Sequence, residues 1–121
     1  MNQSPDPISL LRGFAMAFPH ACEGVACEGT TVEKRTIKAR EKAFLFLGPA
    51  DAMFKLSASL PEAASLASAE PTRYRVGAHG WVTATFHPND TPPMDRLEKW
   101  VDESFRANAN KRLVEMVEEG G

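Results

Sequence analysis

Four groups of residues in this chain have side chains suited to chemistry. His20, Cys22 and Cys27, with Glu23 and Glu28 between them, supply soft and hard metal ligands within nine positions. Zinc asks for four ligands of defined type, and its usual signatures set one CxxC pair against a second pair downstream. His-x-Cys-x4-Cys stops at three soft ligands, and His79 and His87 fall in separate loops, so the expectation is two free thiols and no metal. Glu98, Asp102 and Glu103 alternate with Arg96, Lys99 and Arg106, a pattern that reads as a solvated, ion-paired helix face rather than as acid–base machinery. No GxSxG, HExxH or glycine-rich phosphate loop is present, so no enzyme activity and no cofactor are expected.

The other two groups are suited to binding. Residues 33–42 hold five basic side chains, Lys34, Arg35, Lys38, Arg40 and Lys42, against Glu33 and Glu41, a local charge of +3 in a chain of net charge −2. In an unbroken strand Lys34, Lys38, Arg40 and Lys42 share one side; if the chain turns at Arg40 they gather at a hairpin tip. Either arrangement presents cations to phosphates, and either equally guards an exposed sheet edge against pairing with another chain. Trp81 is the fourth group. With Val82 pointing into the core, the indole shares the outer face with Arg73 and Arg75, and with Lys55 from a neighbouring strand. An aromatic among cations suits stacking on a base, or a plain Arg–Trp stack.

These side chains need a scaffold, and the hydrophobic pattern supplies one. A chain of 121 residues makes one domain, with an ordered core expected over about residues 7–117. Asp6 caps a helix from Pro7 whose apolar stripe is Ile8, Leu11, Phe14, Ala15 and Phe18, and Pro19 ends it. Strands are expected over residues 25–27, 33–38, 42–47 and 52–56, with turns at 39–41 and 48–51. The run 43–47, apolar on both faces, belongs in the middle of a sheet. A short alanine-rich helix follows from Ser59, with Ala63, Leu66 and Ala67 on its apolar side, and stops before Pro71. Residues 73–76 and 81–86 flank Gly77-Ala78-His79-Gly80 as a hairpin, with Tyr74, Val76, Val82, Ala84 and Phe86 facing the core. A last helix from about Pro92 carries Met94, Leu97, Val101 and Phe105, continued by Leu113, Val114 and Val117. The predicted fold is α+β: an antiparallel sheet with helices packed on it, in the order α-β-β-β-β-α-β-β-α. Both outer helices should dock on the sheet that holds residues 44–47.

The N-terminus MNQSPDP has no basic segment leading into an apolar one, and no apolar run reaches the ~20 residues of a membrane span, so a cytoplasmic, non-membrane protein is expected. The low total charge argues against tight, sequence-blind binding of duplex DNA, which draws its affinity from a surplus of Lys and Arg.

Phe18-Pro19, Lys42-Ala43-Phe44, Phe54-Lys55-Leu56, Leu60-Pro61-Glu62-Ala63, Gly80-Trp81-Val82 and Ser104-Phe105 occur in the order and spacing found in MmcQ/YjbR-like proteins, which this chain resembles from about residue 8 to 108. It departs from them at Glu41, where a glycine is usual, and at Phe105, where the Ser-Tyr pair of the family loses its phenol. The resemblance implies a secretion-chaperone-like fold akin to a double-wing DNA-binding module, and DNA as the nominal ligand. The expected function is therefore a non-enzymatic binding domain that holds DNA weakly and salt-sensitively. Its contacts are Lys38, Arg40, Lys42, Lys55, Arg73 and Arg75 on phosphate, with Trp81 stacking. The alternative is an adaptor whose exposed sheet face meets a protein partner or a second copy of itself.

Overall fold

The computed structural model describes residues 6–26, 34–39, 42–87 and 92–108. In chain order they form α1 (Pro7–Met16), β1 (Ala21–Ala26), β2 (Lys34–Ala39), β3 (Lys42–Leu47), β4 (Asp51–Lys55), α2 (Leu60–Ala69), β5 (Tyr74–Val76), β6 (Trp81–Thr85) and α3 (Met94–Asn108). A 3₁₀ turn at Ala78–Gly80 lies within the β5–β6 hairpin. The strands make one antiparallel sheet in the order β1-β2-β3-β4-β6-β5. This is the α+β arrangement and element order read from the sequence. The expected continuation of the last helix at Leu113, Val114 and Val117 lies outside the described residues.

α1 starts at Pro7, whose fixed φ suits a first helical position, behind an extended Asp6. The Asp6 carboxylate accepts from Ser9 Oγ at 3.4 Å and caps no backbone N–H. The helix ends at Met16, two residues before the expected Phe18. Ala17 and Phe18 close it with N–H bonds to the carbonyls of Phe14 and Ala15, and His20, at φ 58°, turns the chain into β1. That strand begins four residues earlier than expected. Glu23 holds it down, accepting from Arg12 Nε at 2.8 Å and from Arg35 Nη1 at 3.0 Å, which ties α1 to β1 and β2. These hydrogen bonds, Arg12's foremost, hold the Glu23 carboxyl below the usual carboxylate range.

β3 lies inside the sheet, as its apolar run requires, and a bulge gives it its shape. Ile37 pairs with Leu45 but Lys38 pairs with Ala43, so Phe44 is an extra residue on β3. Phe44 and Leu45, consecutive in sequence, are both fully buried as a result. The bulge also opens the β3–β4 ladder beyond the Leu45–Phe54 pair. Ser104 of α3 fills the gap: its hydroxyl donates to the Phe44 carbonyl at 2.5 Å and accepts from the Lys55 N–H at 2.8 Å. One buried side chain thus replaces a rung of the sheet.

α3 is seated between two aromatic clusters. Phe105 meets Phe18 and Phe44 at ring-centroid distances of 4.7 and 5.2 Å, and Trp100 meets Phe54 and Tyr74 at 5.8 and 5.7 Å. Such aromatic pairs, three of them edge-on and Phe18–Phe105 tilted, add about 0.5–1.5 kcal/mol each beyond the area they bury. α1 and α3 both pack on β3, as expected. α2 joins the same layer through Glu103 of α3, whose carboxylate accepts from the N–H groups of Ser57 and Ser59 at 2.7 and 3.0 Å and from Ser59 Oγ at 2.6 Å. Ser59 stands at the head of the helix, but its hydroxyl is spent on Glu103 and caps nothing itself.

Candidate functional site

Alternation along the strands assigns every side chain to a face. Phe54, Ala52, Val82, Ala84 and Tyr74 point toward the helices and are buried. Val76 shares that parity, yet it lies at the end of the hairpin and is 39% exposed, which corrects its placement in the core. No described helix lies on the opposite face. One row across it, read through the strand registers, is Gly24, Thr36, Phe46, Met53, Thr83 and Arg75. About 7 Å along the strands to one side of that row come Cys22, Lys38, Ala43, Lys55 and Trp81. On its other side Asp51 pairs with Thr85, which donates its N–H to the Arg73 carbonyl at 2.7 Å.

Phe46, Met53 and Trp81 form a half-buried apolar strip at the centre of this open face. Phe46 and Trp81 meet edge to face, with centroids 5.1 Å apart. Cations surround the strip. Lys38, Lys55 and Arg75 make no ion pair with any described residue, whereas most arginines elsewhere are engaged. Arg12 and Arg35 hold Glu23, Arg106 holds Asp102 at 2.6 Å, and Arg96 donates to the Tyr74 hydroxyl at 3.2 Å. Arg73 reaches Glu70 at 3.4 Å. Asp51 is the single carboxylate among the described strand residues of this face.

Of the seven residues expected to make contacts, Lys38, Lys55, Arg73, Arg75 and Trp81 share the open face. Lys42 does not. It pairs with Ala39, which points toward the helices, so Lys38 and Lys42 leave the β2–β3 hairpin on opposite sides. The expectation of one basic side or one basic tip is corrected on that point, because the bulge at Phe44 shifts the register and sets Lys42 opposite Ala39. Arg40 lies outside the described residues. So does Cys27, while Cys22 is a free, exposed thiol opposite Lys38.

Three residues take places that the sequence pattern does not mark. Phe46 and Met53 join the candidate site, yet the run Phe44-Leu45-Phe46 looks uniformly like core; only the bulge separates Phe46 from its neighbours. The charge pattern places Glu103 on a solvated helix face, which suits Asp102 but not Glu103. Burial pushes the Glu103 carboxyl up, but the hydrogen bonds from Ser59 and Ser57, helped by Lys99, outweigh this and leave it below the usual range. It anchors α2 and does no acid–base work on the open face.

Compared with known proteins, the chain matches the model of the YjbR family over residues 16–107. No curated protein and no solved structure matches it. No helix among the described residues is long and apolar enough to cross a membrane.

Proposed function

The chain belongs to the YjbR family, and from that premise we propose that it is a non-enzymatic cytoplasmic binding domain whose open sheet face takes single-stranded DNA. The observation that carries this reading is the joining of Trp81 and Phe46 with Lys38, Lys55 and Arg75, which make no ion pair with any described residue, on one face that no described helix covers. A sheet face is broad and flat, and every base offers a π-face. Stacking on an aromatic contributes about 1–3 kcal/mol per base, whatever the sequence. The cations meet phosphates and set the register without reading bases. A duplex hides its base faces, and a chain of net charge −2 lacks the surplus of cations that sequence-blind duplex binding draws on.

The apolar strip favours one other reading, an adaptor that buries Phe46, Met53 and Trp81 against a protein partner or a second copy of itself. Anisotropy titrations of labelled single- and double-stranded DNA at two salt concentrations separate the two. Single-strand binding should weaken steeply with salt, should be reduced for every sequence alike by Lys38→Glu with Arg75→Glu, and should collapse in Trp81→Ala. An absence of binding at low salt and micromolar protein discards the DNA reading. Concentration-dependent sedimentation that Trp81→Ala abolishes would then establish the adaptor.

A further inference from the structure

At the β5 side of the open face lies a cleft of about 240 Å³, whose lining includes Asp51, Thr72, Arg73, Arg75, Thr83 and Thr85. We propose that this cleft seats a phosphate group, an inference that rests on the strand-binding reading for where the phosphate comes from but on the cleft itself for its chemistry. Arg75 and Thr83 are directly opposite one another, as are Arg73 and Thr85 through the Thr85 N–H. Two guanidinium forks and two hydroxyl donors therefore line up along one β5–β6 ladder. Guanidinium presents a planar array of N–H donors that matches two phosphate oxygens at once, and a threonine hydroxyl donates to a third.

Arg75 is the main contact, since it is exposed and makes no ion pair with any described residue. Arg73 is the secondary contact, because its Nε already lies 3.4 Å from the Glu70 carboxylate. Asp51 is the one acidic residue of the lining, and its carboxylate lies over Gly48, in space that a Cβ there would occupy. A volume of this size is below that of a typical drug-sized pocket, and it suits a small oxyanion with part of the group that carries it. The cleft is also well placed on the proposed path. Arg75 lies one strand across and about 7 Å along from Trp81, so a strand whose base stacks on the indole carries a neighbouring phosphate over the cleft.

Inorganic phosphate is the first probe, followed through the arginine Nε–Hε and backbone amide resonances of isotope-labelled protein. Saturable shifts confined to Arg73, Arg75, Thr83 and Thr85 are expected. Arg75→Gln should weaken them about tenfold, the effect of one charge-assisted contact, and Asp51→Asn should strengthen them. Shifts that are absent, or that grow linearly across all exposed cations, overturn the proposal. A short single-stranded oligonucleotide is the second probe. If it displaces phosphate from the cleft, the phosphate belongs to the strand. If phosphate saturates the cleft and the oligonucleotide binds nowhere, the cleft stands as the seat of a free phosphorylated small molecule and the strand reading falls. If the oligonucleotide moves Trp81 while phosphate leaves the cleft unmoved, the strand reading stands and the cleft proposal falls.

Discussion

Replacing Ser104 by alanine tests how the open face is held flat. Ser104 is fully buried, and its hydroxyl bridges the Phe44 carbonyl and the Lys55 N–H where the β3 bulge interrupts the ladder. Alanine leaves both backbone groups without that partner. A buried backbone group left unsatisfied costs about 1–3 kcal/mol. Some relaxation of the β3–β4 seam offsets part of the two penalties, so the expected loss is about 2–4 kcal/mol. At about 4 °C per kcal/mol for a domain of this size, the melting temperature should fall by about 8–16 °C. Urea denaturation should show the loss as a lower midpoint at unchanged slope, and the Lys55 amide should exchange faster than its neighbours in β4. Asp102→Ala on the same helix is the control: it removes only a surface pair with Arg106 and should cost no more than about 0.5 kcal/mol. If Ser104→Ala matches that control and leaves Lys55 exchange unaltered, the hydroxyl is not a rung of the sheet.

Three further outcomes follow from particular contacts. Because the folded Glu103 carboxyl is held below its ordinary value, it stabilises the fold above the unfolded carboxylate pKa of about 4.3, and that stability is lost as pH falls through the folded value. The urea midpoints of wild type and Glu103→Gln should therefore differ at pH 7 and draw together as the pH falls below about 4.3, and a gap that does not narrow would contradict this. Thr36 is 2% exposed and its hydroxyl meets no hydrogen-bond partner among the described residues, so the isosteric Thr36→Val should be neutral or stabilising; a loss above about 1 kcal/mol by denaturation would refute it. Gly80 has φ 82° and a Cβ there would stand 2.6 Å from the Leu56 carbonyl oxygen, which sets Gly80→Ala at a loss of more than about 1 kcal/mol. Thermal melts check it, and an unchanged melting temperature would show that the Leu56–Gly80 contact yields readily.

The element order was legible in the sequence because its signals are local. Pro7 behind Asp6, the alanine-rich stretch before Pro71 and the Gly77–Gly80 turn each mark a boundary through backbone chemistry that needs no tertiary partner. The pairing of Trp81 with Arg75 and Lys55 on one face was legible too, since alternation from a core-facing Val82 dictates it. What stayed hidden depended on contacts distant in sequence. The bulge at Phe44 is visible only in the register of β2 against β3, and it decides that Phe46 points outward and that Lys42 parts from Lys38. Cys22-Glu23-Gly24 looks like a loop because its strand character comes from pairing and from Arg12 and Arg35. Trp100 and Ser104, buried beside Val101 and Phe105, widen the apolar face of α3 beyond the stripe of Met94, Leu97, Val101 and Phe105. The roles of Ser104 and Glu103 concern backbone groups more than forty positions away.

The central claim, that the open face stacks bases at Trp81 while its cations meet phosphate, is tested most directly by the protein's own tryptophan fluorescence. Trp100 is fully buried, so quenching by an added single strand reports on half-buried Trp81, and Trp81→Phe supplies the blank. If Lys38, Lys55 and Arg75 each neutralise one phosphate, the logarithm of affinity should fall with that of salt at a slope of about −2, a loss of about 20-fold between about 50 and 200 mM. Saturable quenching is expected at low salt, absent in Trp81→Phe and weakening along that slope. Fluorescence unchanged by the oligonucleotide at low salt would contradict it.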